Sequence, residues 1–314
     1  MNTLNRFDKK ICEQILTETA AGSRQSIKEV IERFSGLREQ KAKSAGLFMS
    51  MRVALDRLFS TTRHEYLDVP DYSGEKKNRM VNFLNLIDRL VTNRTFFAMI
   101  EPRFRDFAER ASRPARVLEL ASGSGGLILD MAKRARRRNV SIDLTGSDFV
   151  NENVTQGNRL AAKYNLPVVF TRIDMFHLEE IPDDAYDFVI ISQALHHFTL
   201  EEVAVIVGQT SRIATCGLLA LDGRRGLMTL AALGLVGVVG TICTRTLALL
   251  HDALVSGMRF FSPSLLELTL KIGVPGCKIR VSPASFSHLF VEVRQSTAPV
   301  VRAESECIAD NEYP

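Results

Sequence analysis

The residues best suited to chemistry begin at Glu119, in the run Val117-Leu118-Glu119-Leu120-Ala121-Ser122-Gly123-Ser124-Gly125-Gly126. An apolar stretch ends in an acid, small residues follow, and Leu127 to Lys133 reads as a helix. This is a strand, a glycine turn and a helix start. Glycines carry no Cβ, so a ligand can approach their backbone closely. The first helical turn adds unpaired N–H donors at the positive end of the dipole. At the head of a parallel sheet such a turn is a nucleotide-binding device. The dinucleotide spacing G-x-G-x-x-G does not fit, because Ile128 stands in the third glycine's place. The spacing E-x-(G/A)-x-G-x-G does fit, with Ala121 in the first small position.

Further acids follow at strand ends. Asp148 closes the run that starts at Ser141. It lies some ~20 residues past the glycine loop, where a carboxylate can accept both hydroxyls of a ribose. Phe149 beside it offers a ring to a base. A third strand-like run, Val168–Arg172, leads to Asp174 and Met175. A fourth, Tyr186–Ser192, leads to Gln193-Ala194-Leu195-His196-His197-Phe198.

Over about residues 75–294 these motifs resemble the class I S-adenosylmethionine (SAM)-dependent methyltransferases. The Leu-His-His run is similar to that of methyltransferases related to the ubiquinone/menaquinone C-methyltransferases and of many natural-product enzymes. The resemblance implies SAM as cofactor and S-adenosylhomocysteine (SAH) as product. It implies that Glu119, Ala121, Gly123 and Gly125 line the cofactor and that Asp148 holds the ribose. By the same resemblance Phe149 stacks on the adenine, Asp174 accepts from its amino group, Met175 packs on the ring, and Ser192 and Gln193 close the site. The implied fold is an α/β, Rossmann-like, seven-stranded, mostly parallel sheet with a C-terminal antiparallel hairpin.

Imidazole titrates near neutral pH, so His196, His197 and His251 are candidate bases. A structural role is the alternative for each. Asp252 adjoins His251, but neighbours on a helix point apart and it need not orient the ring. For the acceptor, Tyr72 lies in a turn-rich break. Arg224 and Arg225 follow a fifth strand-like run, Gly217–Asp222. The two arginines suit an acidic or phosphate-bearing group, or equally the anchoring of a lid.

The elements that must position these residues fall into three parts. Residues 1–110 read as a helical cap, with a capping box at Ser26 and Glu29. Residues 111–294 form the cofactor-binding core, with an apolar helical insertion at 226–258. Residues 295–314 form a polar tail expected to be mobile. The stretch 227–244 carries no charge. About 18 residues is the lower limit for a membrane span, yet this stretch lies between two strands of one sheet. A buried lid helix is therefore expected, with a dimer face or a membrane-surface contact as alternatives. Ser262 and Pro263 mark a further helix start.

The composition, 46% apolar and 24% charged over 314 residues, is that of a globular protein. A net charge of +4 gives no case for a nucleic-acid partner. The five scattered cysteines argue against a disulfide framework and a zinc site, so no metal is expected. Met1–Lys10 is polar and shows no secretory signal, so a cytoplasmic location is expected. The expected function is methyl transfer, to oxygen or carbon, on a small and largely apolar acceptor in secondary metabolism. That acceptor would be aromatic, polyketide-like or prenylated. The alternatives are a quinone or lipid methyltransferase at the membrane surface, or a SAM-binding cyclase or scaffold that has lost methyl transfer. The expected partner is a small molecule, without stable membrane insertion, and a homodimer is left open.

Overall fold

The computed structural model describes residues 3–20, 26–58, 60, 61, 63, 65–68 and 74–295. Tyr72 and the 296–314 tail lie outside these residues. Five helices come first: α1 (Thr3–Ala20), α2 (Ile27–Ser44), α3 (Leu47–Leu58), α4 (Gly74–Leu90) and α5 (Thr92–Ala111). The core then runs β1 (Ala115–Leu120), α6 (Gly126–Arg138), β2 (Ile142–Asp148), α7 (Asn151–Lys163), β3 (Val168–Arg172), β4 (Phe188–Ser192), α8 (Leu200–Ile213) and β5 (Leu218–Gly223). It ends with α9 (Leu227–Thr244), α10 (Ala248–Arg259), α11 (Pro263–Gly273), β6 (Cys277–Pro283) and β7 (His288–Gln295). Short 3-10 turns lie at Tyr66–Asp68 and Leu195–His197.

The sheet order is β3-β2-β1-β4-β5-β7-β6. β1 to β5 are parallel, and β7 runs antiparallel to both β5 and β6. β4 and β5 are buried on both faces. That is why they read as continuous apolar runs rather than alternating ones. On one face, α6 packs Leu127, Ile128 and Met131 against β1 and β4. α5 joins that face through Phe96, Phe97, Ile100, Phe104 and Phe107, so the last helix of the N-terminal region is part of the sheet's core. On the other face lie α8 and α11, with Val203, Ile206, Val207, Leu266 and Leu270.

The remaining N-terminal helices rest on the core through α11. Ile11, Ile15, Val30 and Phe34 cluster with Leu268. Ser26 caps α2 with the expected capping box to Glu29. A buried ion network ties these helices down. Arg38 donates to Asp8 and to Asp56, each at 2.8 Å, and Arg225 stands 3.4 Å from the same Asp56. Breaking one member of such a network strands a buried charge, which costs more than an exposed pair would.

The insertion corrects one expectation. α9 is a helix, but it is not buried. Thr229, Gly237, Gly240 and Thr244 face inward, while Met228, Leu235 and Ile242 are exposed by 74%, 67% and 72%. Its glycines serve close packing on α10: a Cβ at Gly237 would fall 2.9 Å from Leu250 Cα.

Candidate functional site

In an open parallel sheet, ligands bind at the carboxyl ends of the strands, where the strand order reverses. Here that point lies between β1 and β4, because the chain moves outward from β1 to β2 and β3 and then returns. Glu119, Asp148, Asp174, Ser192 and Asp222 all sit at or just past these ends.

Glu119 is buried, 2% exposed. The N–H of Ile128 in α6 donates to its carboxyl, while Oε2 has no hydrogen-bond partner. Burial pushes the carboxyl up to about 8, with the charge of Asp148 adding to the rise. An orphaned buried carboxyl oxygen is costly unless a ligand completes it.

The loop after β1 is held open by its backbone. Ala121, Gly123 and Gly125 have φ of 53°, 54° and 89°. A left-handed alanine is uncommon and costs energy, as strained functional loops do. Ser122 N–H and Oγ both donate to Ser147 O, at 2.7 and 3.0 Å, stitching the loop to β2. Gly125 must be glycine: a Cβ there would lie 2.3 Å from the Phe170 ring. Above Gly123 nothing stands within 4 Å of where its Cβ would be. That open space is a cradle.

Asp148 spans the cradle. Its Oδ2 accepts from Gly123 N–H at 2.8 Å, and its Oδ1 from Val150 N–H at 2.9 Å and Asn153 Nδ2 at 3.1 Å. Phe149 is 56% exposed, with Arg172 4.8 Å from its ring centre. Asp174 is half-buried and accepts from Phe176 N–H, and Met175 is buried in the core beside it. Gln193 is a second strained residue, φ 54°, whose N–H donates to Leu221 O at 2.8 Å.

Past Gln193 lies a cluster that pattern reading found only in part. His196 is 5% exposed. Its N–H donates to Asp222 Oδ2 at 3.0 Å, and its Nδ1–H to Asp222 Oδ1 at 2.7 Å. That bond leaves Nε2 as the free ring position, and it faces Glu65 Oε1 at 3.8 Å. Burial pushes the Asp222 carboxyl up, but the His196 ring and the N–H groups of Gly223 and His196 outweigh it and hold it low. Glu65 also accepts from Ser256 Oγ of α10. Arg259, on the same helix, donates to the carbonyls of His196 and His197. The ligand atoms of Glu65, His196 and His197 all lie within 4.8 Å of one another, a set that can hold a proton or a cation. Sequence reasoning missed Asp222, although its place at the end of a strand could have flagged it. It also missed Glu65, which no pattern marks.

His251 is on α10, with its side chain 36% exposed. The adjacent acid does meet it, contrary to the expected divergence: Nδ1 lies 2.9 Å from Asp252 Oδ1. The pair is held because Asp252 also accepts from the N–H groups of Tyr66 and Leu67, and the Tyr66 ring packs 4.6 Å from the imidazole. Arg225 is committed to the ion network at Asp56. Arg224 is fixed by its backbone, through a bridge to Phe261 and an N–H bond to Ser287 O, and its side chain is half-buried.

Residues 117–217 match the methyltransferase domain family. The chain is 34% identical over 94 residues to an S-adenosyl-L-methionine-dependent Diels-Alderase, iccD, of Talaromyces variabilis, covering 29% of this chain and 30% of that protein. It is 36% identical over 80 residues to the ubiquinone/menaquinone biosynthesis C-methyltransferase UbiE of Rickettsia massiliae (strain Mtu5), covering 25% of this chain and 32% of that protein. The chain thus spans under a third of the length of these curated relatives. Among solved structures, the plantazolicin methyltransferase BpumL in complex with SAH aligns over 83% of this chain and all of its own, at 14% identity and a TM-score of 0.53. That likeness concerns the fold.

Proposed function

We propose that this chain is a class I S-adenosylmethionine-dependent methyltransferase and that it moves a methyl group from SAM to a small, largely apolar acceptor. The observation that carries the reading is the pairing of the orphaned Glu119 oxygen with the open cradle over Gly123, under the Asp148 carboxylate. These features fit the cofactor. Asp148 would take the ribose hydroxyls, Glu119 and the loop the methionine part, and Asp174 and Phe149 the adenine. When bound, SAM supplies an electrophilic methyl group and its own leaving group. The protein therefore has mainly to align the acceptor.

For a hydroxyl acceptor, a base is also needed. The geometry favours His196 over His251. Asp222 fixes the His196 tautomer, Nε2 is left to receive the acceptor's proton, and Glu65 stands close enough to steady the imidazolium. The proposed acceptor is aromatic, polyketide-like or prenylated, and it would lie beside α10, whose Ser256 and Arg259 touch this cluster. A role in secondary metabolism and a cytoplasmic setting belong to the same proposal. A second reading is favoured by the match to iccD: a SAM-binding cyclase that rearranges its substrate without methyl transfer. Product mass separates the two. A gain of one methylene, with SAH formed in equal amount, is the expected result; a product isomeric with its substrate would establish the cyclase.

Glu119 links binding to pH. With its carboxyl near 8, it is largely protonated at pH 7 in the free protein. A cationic ligand alongside favours the ionised form. SAM binding should then release a proton, and affinity should rise with pH up to about 8 and level off above it. Calorimetry of SAM binding at pH 7 in buffers of different ionisation enthalpy should show buffer-dependent heats, and Glu119→Gln should remove that dependence. The same raised value means that folding stability without ligand falls as pH rises from about 4.5 to about 8.

A further inference from the structure

α9 is inverted relative to an ordinary surface helix. At about 100° per residue, Thr229, Gly237, Gly240 and Thr244 fall on one side, and these are its buried residues. Leu227, Met228, Leu235, Val238, Val239 and Ile242 fall on the opposite side, and all six are exposed. The small residues let the backbone lie directly on α10, and this turns the large side chains outward. The 18 residues have a mean hydropathy of 2.1 and no charge.

The helix packed beside it, α4, carries exposed aliphatic side chains of its own. The Phe83 ring of α4 packs under Gly240, and further along and just past that helix Leu86, Leu90 and Val91 are exposed. Leu90 also lines a cavity of about 460 Å³ between α4, α5 and α6, together with Arg89, Arg94, Lys133 and Arg137. The acids nearby are already engaged: Asp130 pairs with Arg134 at 2.8 Å, and Glu101 with Arg138 at 2.6 Å. An aliphatic face therefore adjoins a cleft with surplus positive charge.

We infer that this face docks on an anionic lipid bilayer, with α9 lying in the interface and the basic cleft taking lipid phosphates. An apolar helix beside a basic patch is the combination that binds such surfaces. Crossing the bilayer does not fit, since the inner side of α9 rests on α10. A second copy of the chain fits less well. Across a two-fold axis the same patch meets itself, which would bring the basic clefts toward one another. Among the described residues, the exposed side chains named on this face are all aliphatic, without the aromatic anchors that protein interfaces favour. The inference rests on the proposed function in one respect only, that an apolar acceptor would then be drawn from the membrane.

The test is sedimentation of the full chain with phosphatidylcholine vesicles, with and without phosphatidylglycerol. The wild type should pellet with the anionic vesicles and be released by salt. Leu235→Glu with Ile242→Glu should weaken binding by about tenfold or more, and so should Arg94→Glu with Arg137→Glu. All four positions lie outside the cofactor site, so SAH titration of each variant should match the wild type and report folding independently. Wild type that stays in the supernatant with both vesicles overturns the inference. So does a dimer, seen by light scattering, that Leu235→Glu with Ile242→Glu dissociates. Failure to bind SAH would undo the functional reading and leave the vesicle result standing.

Discussion

Asp148→Ala is expected to weaken both SAM and SAH binding by about a hundredfold or more. A hydrogen bond to a charged group contributes roughly 1.5–3 kcal/mol, and a ribose offers two. At 1.4 kcal/mol per tenfold, losing both spans about two to four decades. The substitution also removes the acceptor for Gly123 N–H, so the glycine loop loses the strut that now holds it against β2. Asp148→Asn separates the two effects. An amide keeps one acceptor oxygen for Gly123 but lacks the charge and the second acceptor, so a loss of roughly tenfold is expected. Calorimetric titration with SAH reads both variants, and thermal unfolding reports whether each is folded. If folded Asp148→Ala binds SAH like the wild type, this carboxylate does not hold the ribose, and the cofactor reading of the cradle fails.

Asp148 was legible in the sequence, and the reason is physical. A buried parallel strand is apolar along nearly all its length, so a run such as Val117–Leu120, broken only by Glu119, or Phe188–Ile191 marks itself. Its carboxyl end must be where polarity returns. Glu119, Asp148, Asp174 and Gln193 therefore stood out without any knowledge of their contacts. The seven-stranded, mostly parallel sheet and its closing hairpin came with the resemblance. What stayed hidden depends on packing between distant segments. Glu65 enters the site from an irregular stretch and is held by Ser256, 191 residues away. Nothing local distinguishes it from a surface glutamate. The orientation of α9 was hidden for another reason. Glycine, threonine, leucine and valine all count as uncharged, so the pattern did not say which side would be buried. Close packing on α10 decided it, in favour of the small side. The His251–Asp252 pair was misjudged because its geometry is imposed by a third party, the 3-10 turn whose N–H groups bind Asp252.

His196→Ala is expected to lower kcat by about a hundredfold or more while leaving SAH affinity within about twofold. The second half of that statement matters as much as the first. His196 sits past the proposed cofactor-lining residues, in the middle of the 3-10 turn, and its bonds run to Asp222 and toward Glu65. A variant that lost cofactor binding would point to a collapsed strand end instead. Asp222→Asn should follow His196→Ala in kcat, because the carboxylate selects the tautomer that leaves Nε2 free and stabilises the ring once it is protonated. Glu65→Gln should cost less, roughly tenfold, since at 3.8 Å it acts on the imidazolium through charge and not through a direct bond. His251→Ala serves as the comparison. Its ring is partly exposed and its Nδ1 is taken by Asp252, so a change below about threefold is expected there. A drop below about threefold for His196→Ala, with methylated product still forming, would mean that His196 is not the base, and the buried Asp222–His196–Glu65 cluster would be a structural tie between the cap and the sheet. The same small change in His197→Ala and His251→Ala as well would point to a carbon nucleophile whose own electron density drives attack.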